Sequence, residues 1–309
     1  MPKLIPTVKL NNGQHMPSIG FGTWRSNESD AERSVKDAID IGYRHIDTAF
    51  MYENEHEVGS AINAKLAEGV IKREDIFVVT KLAGVHHNPD IVEHACRTSL
   101  KNLNLSYIDQ YLIHFPVGQE YVSDDNLSGP VSNVDYVDTW QAMEKLVDLG
   151  LVRGIGLSNF NSDQIQRVLD IARIKPVVNQ VECHPGFNQK KLIEFCKRNN
   201  IVVTAYCPLA RPKPAQQWPP FLYDGTAQKL AEKYGKTSAQ ICLRYLIQIG
   251  TIPIPKSVSK NRIAENYDVF DFKLTEEDIG IMDQYHNGLR TVTYSGLSQH
   301  KYFPFNTEF

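Results

Sequence analysis

Residues 76–115 read IFVVTKLAGVHHNPDIVEHACRTSLKNLNLSYIDQYLIHF. An apolar, branched-rich run (76–82) is followed by a segment of helical periodicity, NPDIVEHACRTSLKNLN, and then by a second apolar run (108–115). Two strand-like runs flanking one helix make a βαβ unit, whose strands lie parallel. The alternation continues in both directions. Further apolar runs occupy 18–24, 43–49, 152–160, 177–183, 201–209 and 251–257, which brings the number to eight. Helical segments such as ESDAERSVKDAIDIG, YVDTWQAMEKLVDLG and SAQICLRYLIQIG lie between them. Eight βα units predict an α/β fold, a (β/α)8 TIM barrel. The opening VKLNNGQHMPSIG predicts an added N-terminal β-hairpin turning at Asn12–Gly13 as a two-residue turn, and long C-terminal loops follow the last helix. No linker interrupts the pattern, so residues 1–309 are expected to form a single domain. A doubly wound open sheet would want G-x-G-x-x-G, but the pairs Gly20/Gly22 and Gly154/Gly156 lack the third glycine.

Composition limits the function classes. Hydrophobic residues make up 42%, charged residues 22%, and the net charge is -3 with no long run of one sign. This is the balance of an ordinary globular protein and gives no basic surface for nucleic acid. The opening MPKLIPTVKLNNGQ lacks the apolar core of a leader, and no run approaches the roughly 18 apolar residues of a membrane span. The five cysteines, Cys96, Cys183, Cys196, Cys207 and Cys242, form no C-x-x-C pair. Together these features predict a cytoplasmic protein with reduced thiols. The adjacent His86 and His87 have no ligand-spaced partner in the sequence, so no metal is expected.

A barrel of this kind gathers its chemistry at the C-terminal ends of its strands. The second run ends at Asp47, with Tyr52 in the loop beyond it; the third ends at Lys81 and the fourth at His114. The fifth ends at Ser158 and Asn159, the sixth carries Gln180, the seventh ends near Tyr206 and the eighth at Lys256. An acid, a phenol, an ammonium and an imidazole are thereby predicted to meet. A lysine after a strand is ordinarily a solvated end, and a histidine in YLIHF a core residue; four such groups at successive strand ends point to a site instead. A phenol is neutral at pH 7 and can protonate a developing alkoxide. An ammonium beside it stabilises the phenolate left behind and is expected to lower the Tyr52 pKa. A buried carboxylate keeps that ammonium charged, and His114 can orient the same substrate oxygen. This suits carbonyl reduction, in which hydride must come from a cofactor.

GYRHIDTAFMYENEHEVG (42–59), the lysine of VVTKL, LIHFP (112–116), GIGLSNF (154–160) and IPKSVSKNRIAEN (254–266) closely resemble the aldo-keto reductases, and the likeness runs to the final PFNTEF. The resemblance implies an NADPH-dependent barrel enzyme, usually monomeric, that reduces small-molecule aldehydes and ketones. Its catalytic tetrad falls on Asp47, Tyr52, Lys81 and His114. It implies that Ser158, Asn159 and Gln180 hold the nicotinamide amide, that Tyr206 stacks on the ring, and that Gly22, Thr23, Trp24 and Asp47 also face the cofactor. Leu209, in the loop CPLAR, is implied to touch the pyrophosphate by its backbone. Lys256, Ser257, Val258, Ser259, Arg262, Glu265 and Asn266 are implied to take the adenosine end.

The sequence departs from the family at Ala210, where many relatives carry Gly, and at Lys213, near where they carry an acid that helps clasp the cofactor. Phe115 stands where sugar-aldehyde reductases usually carry Trp, and the loop 117–133 is recast. Substrate contacts are expected from Trp24, Tyr52, His114, Phe115, Trp218 and Leu297, with Phe50, Phe221 and Tyr294 as further members of an apolar wall. A bulky apolar carbonyl, such as a steroid or ecdysteroid-like ketone or an aromatic or lipid aldehyde, is the expected substrate. A sugar-aldehyde reductase and a non-catalytic NADPH-binding subunit of the same fold are the alternatives.

Overall fold

The computed structural model of the chain describes residues 5–307 and 309. Residues 1–4, part of the opening stretch read above for a leader, and residue 308 of the closing motif lie outside it. Strands β1 (Thr7–Lys9) and β2 (His15–Pro17) pair antiparallel as the expected hairpin. Its turn differs from the two-residue expectation. Gly13 N bonds Leu10 O and Leu10 N bonds Gln14 O, so three residues, Asn11 to Gly13, make the reversal. Gly13, at φ +87°, takes the left-handed position that closes such a turn.

Eight strands follow: β3 (Phe21–Gly22), β4 (His45–Asp47), β5 (Phe77–Leu82), β6 (Gln110–Ile113), β7 (Ile155–Ser158), β8 (Val178–Glu182), β9 (Val202–Tyr206) and β10 (Thr251–Pro253). Each is parallel to the next in chain order. Gly20 N to Pro253 O at 3.0 Å and Gly22 N to Pro255 O at 3.1 Å join the first of them to the last and close the barrel. A Cβ at Gly22 would lie 2.9 Å from Ile254 O, so glycine is required where the edges meet.

The helices are α1 (Glu28–Ile41), α2 (Glu55–Ala67), α3 (Val92–Leu103), α4 (Tyr136–Asp148), α5 (Ser162–Ile171), α6 (Lys190–Arg198), α7 (Pro220–Tyr223), α8 (Gly225–Tyr234), α9 (Ser238–Gln248), α10 (Lys260–Tyr267) and α11 (Glu276–Asp283). Their starts follow from capping chemistry. Asn27 accepts from Asp30 N, and Asn161/Gln164 and Thr237/Gln240 form reciprocal capping boxes, each worth about 1 kcal/mol. Among the described residues no helix is long and apolar enough to cross a membrane.

Side chains alternate across a strand, and that period sorts the barrel. Outward residues such as Ile46, Val78, Tyr111, Ile113, Leu157 and Val203 pack in the cluster that includes the helices' buried faces. Inward residues Phe77, Val79, Leu112, Val178 and Ile252 join Leu10 and Met16 of the hairpin region in a second cluster, so the hairpin plugs the N-terminal end. Continuing upward on that inward face, Val79 is followed by Lys81, Leu112 by His114 and Val178 by Gln180 and Glu182. The floor is apolar and the mouth is polar.

Candidate active site

Lys81 has no exposed surface. Its Nζ donates to Asp47 Oδ1 at 2.6 Å, to Thr48 O at 2.7 Å and to Tyr52 Oη at 3.3 Å. Those bonds use all three ammonium protons. Gln180 Nε2 donates to the other oxygen, Asp47 Oδ2, at 2.7 Å. The His114 ring stands edge-on to the Tyr52 ring, with centroids 5.7 Å apart. The four residues predicted from strand ends are therefore assembled at one mouth.

Burial works against both charges of the Asp47–Lys81 pair, raising the acid and lowering the ammonium, while the 2.6 Å contact opposes it. Desolvation, with Lys81 and His87 nearby, holds His114 down to about 3, so its imidazole is neutral at pH 7. Its Nδ1 is buried without a hydrogen-bond partner among the described residues. The expectation that Lys81 lowers the Tyr52 pKa is corrected. Desolvation first, then Asp47, Tyr294 and Cys207, push that phenol well above 10. The Lys81 charge is already paired with Asp47, so its pull on the phenol does not outweigh the burial. The phenol keeps its proton, and its oxygen accepts from Lys81.

Around this centre, Asn159 adopts a left-handed conformation (φ 65°). Its Nδ2 donates to His114 O at 2.9 Å and Ser158 Oγ at 3.1 Å, and its Oδ1 accepts from Tyr206 Oη at 2.7 Å. Ser158 Oγ donates to Gln180 O at 2.9 Å. Thr23 bonds Asp47 O through its amide and its hydroxyl. The half-buried Trp24 ring has the guanidinium carbons of Arg25 and Arg211 at 4.5 and 4.4 Å from its centre. Leu209 is half-buried against the main core.

The adenosine-end set lies on β10's exit and α10. Ser259 caps α10 without a side-chain bond, leaving the first-turn amides uncapped, while Ser257 Oγ accepts from Ser259 N at 3.1 Å. Val258 O accepts from Arg33, and Glu265 from Thr237. Lys256 and Arg262 are exposed, Asn266 is buried, and Arg262 has no ion pair among the described residues.

Of the expected wall, Phe115 packs at a 40° tilt against Tyr294, centroids 4.5 Å apart, and meets Phe303 and Phe305, with Leu297 packed alongside. Phe50 stands edge-on to His86 at 5.0 Å. Trp218 packs against the main core in the turn facing Lys213. Phe221 is not a wall residue. It is 2% exposed, held between His184 and Tyr285, because α7 turns its ring inward toward α9. The loop 117–133 folds back on itself through Glu120 N to Pro130 O, and Asp124 ties it to His86 at 3.0 Å and His94 at 2.9 Å. No group of three or more His, Cys, Asp or Glu that could hold a metal occurs among the described residues.

Several residues were missed from the sequence. Thr48 acts through its carbonyl, which carries no side-chain signal. Phe303, Phe305 and Arg211 lie on loops whose course no periodicity fixes. Glu182, fully buried on the inward face one layer above Gln180, is legible in the alternation of VNQVE.

A family model described as the Aldo/keto reductase family matches residues 18–287. Over 318 residues the chain is 46% identical to aldo-keto reductase family 1 member A1-A of Danio rerio, spanning 97% of this chain and 98% of that protein. It is 44% identical to estradiol 17 beta-dehydrogenase 5 of Mus musculus over 98% of each. A Bombyx mori aldo-keto reductase solved in complex with NADP is 41% identical and superposes with a TM-score of 0.92, over 98% of this chain and 99% of that one. The barrel, its polar mouth and relatives matched over nearly their whole length agree: the chain belongs to the aldo/keto reductase family.

Proposed function

We propose that this protein reduces bulky apolar aldehydes and ketones to alcohols with NADPH, Tyr52 being the proton donor. The observation that carries the reading is the Asp47–Lys81–Tyr52 chain of hydrogen bonds ending in a phenol that holds its proton. When bound, NADPH supplies the hydride. Tyr52 transfers its proton from Oη to the carbonyl oxygen as that oxygen gains charge. Lys81, already donating to Oη, stabilises the phenolate, and Asp47 with Gln180 holds Lys81 in place. Neutral His114 orients the carbonyl by donating one ring N–H without adding a charge.

The residues present fit the cofactor. Uncapped first-turn amides of α10 beside Lys256 and Arg262 form a donor set for a phosphate. Arg262 supplies a fork of the shape a 2′-phosphate takes. Ser158, Asn159, Gln180 and Tyr206 form one connected network at the strand ends, suited to hold the nicotinamide end in register with Tyr52. Gly22, Thr23, Trp24, Leu209, Ser257, Val258, Ser259, Glu265 and Asn266 complete the proposed contacts.

The substrate class rests on the proposed wall of Trp24, Phe50, Phe115, Tyr294 and Leu297, in which Tyr294 and Leu297 pack against the cluster around the largely buried Phe115. Apolar burial contributes about 25 cal/mol per Å², so a ring system against these side chains gains several kcal/mol before ordering costs. A sugar must instead give up water from its hydroxyls to a wall with few replacement partners. The dehydrogenase relative named above supports the same class. The test compares catalytic efficiency with NADPH for aromatic, steroid, lipid-derived and sugar carbonyls, followed by nicotinamide absorbance. Equal or better efficiency with xylose removes the substrate reading, and no NADPH consumption with any carbonyl removes the reductase reading.

A further inference from the structure

Glu182 ends β8 with no exposed surface, yet it makes none of the contacts of the Asp47–Lys81–Tyr52 chain. Its Oε1 accepts from Thr291 N at 2.6 Å, Thr291 Oγ1 at 2.6 Å and His184 Nε2 at 3.0 Å, and its Oε2 accepts from Val292 N at 2.9 Å. Four donors match the roughly four acceptor sites of one ionised carboxylate. They hold it below the ordinary glutamate range against the burial that would raise it. On the far side of the same residue, Arg211 Nη1 donates to Thr291 O at 3.4 Å. Two residues beyond Val292 the chain turns through Tyr294, in the left-handed region at φ 46°, and packs that ring at a 40° tilt against Phe115. A tyrosine does not hold that conformation unless its neighbours impose it.

We infer that Glu182 is the positioning residue of the substrate pocket: by fixing Thr291 and Val292 to the rim of the barrel, it sets Tyr294 against Phe115 and so decides how well a flat, multi-ring carbonyl binds. The inference rests on the reductase reading above and adds a specificity determinant to it. An amide at position 182 keeps one acceptor oxygen and turns its NH₂ toward either the Thr291 donors or the Val292 N–H, and it removes the charge, so the anchor is weakened at nearly constant volume.

The experiment measures NADPH-dependent reduction of 2-naphthaldehyde and of propanal by the wild type and by Glu182→Gln. Losing charged hydrogen bonds costs on the order of a 10-fold to 100-fold rise in KM for naphthaldehyde, with kcat falling by less than about threefold. The propanal KM is expected to move by less than about twofold, because that substrate does not reach Tyr294. In a Tyr294→Ala background, Glu182→Gln should add no further rise in the naphthaldehyde KM. An equal rise in both backgrounds, or equal rises for both aldehydes, overturns the inference. Thr291→Val, which removes only the hydroxyl donor, is the milder variant and should raise the naphthaldehyde KM in the same direction. Amide hydrogen exchange at Thr291 and Val292 reads the anchor without any turnover. Protection in the wild type that is lost in Glu182→Gln supports it, and unchanged exchange overturns it. A wild type that turns over neither aldehyde counts against the reductase reading, while the exchange result still decides the anchor.

Discussion

Gln180 Nε2 lies 2.7 Å from Asp47 Oδ2, joining β8 to β4 across the inside of the barrel. The opposite oxygen of the same carboxylate takes Lys81 at 2.6 Å, so a side chain implied to hold the nicotinamide amide also holds the acid of the site. Replacing Gln180 with Met conserves volume and leaves Oδ2 buried and unpaired. That should cost about 1–3 kcal/mol of stability by urea unfolding, the usual penalty for an orphaned buried group. A change under about 0.5 kcal/mol would mean that Asp47 finds another donor.

Tyr52→Phe removes the proton donor and leaves the ring. Turnover should fall by at least about 10²-fold, the lower scale of general-acid catalysis, while NADPH still binds with near-normal affinity by fluorescence titration. The phenol lies well above its ordinary 10, so wild-type kcat should show no loss from its ionisation up to about pH 9. Near-normal turnover in folded Tyr52→Phe would take Tyr52 out of the mechanism.

Arg262 is exposed at the start of α10. If it binds the 2′-phosphate, Arg262→Met loses a charged hydrogen bond of roughly 1.5–3 kcal/mol, about 10- to 150-fold in NADPH affinity. NADH affinity should barely move. Equal weakening of both cofactors would assign Arg262 to the shared part of the nucleotide.

Asp47, Lys81, His114, Ser158 and Gln180 are legible at the strand ends because strand alternation is local. A polar residue continuing an inward apolar row has to face the mouth. Glu182 obeys the same rule, but its partners Thr291 and Val292 lie 109 and 110 residues away on a loop without periodicity, and so its role was not legible. Phe221 failed as a wall residue for the converse reason. Its ring direction is set by the four-residue α7, too short to show a helical stripe. The rise in the Tyr52 pKa is not legible in the sequence, because burial by several loops and the nearby Asp47, Tyr294 and Cys207 raise it, whereas the local pattern points only to the lysine.

Three buried histidines make a prediction about acid stability. Desolvation holds His45, His87 and His114 down to about 3, with Lys81 adding to the effect at His45 and His114 and His86 at His87. Their unfolded value is about 6.5. Between those limits the unfolded chain binds protons that the folded chain does not, so stability falls as pH drops below about 6.5. Each group contributes about 1.4 kcal/mol per pH unit, or about 4 kcal/mol per unit for the three together. Glu55 and Asp109, both raised by burial, act in the opposite sense at lower pH and blunt the slope there. His87 isolates the effect, because among the described residues neither of its buried ring nitrogens has a hydrogen-bond partner. His87→Leu should be at least as stable as the wild type at pH 7, since no hydrogen bond of that ring is lost. Its urea-unfolding free energy should fall less steeply between pH 6 and 5, by about one proton's worth, near 1.4 kcal/mol per pH unit. Parallel pH curves for the two proteins would show that His87 titrates in the folded state as it does in the unfolded chain, and the burial argument would fail at that residue.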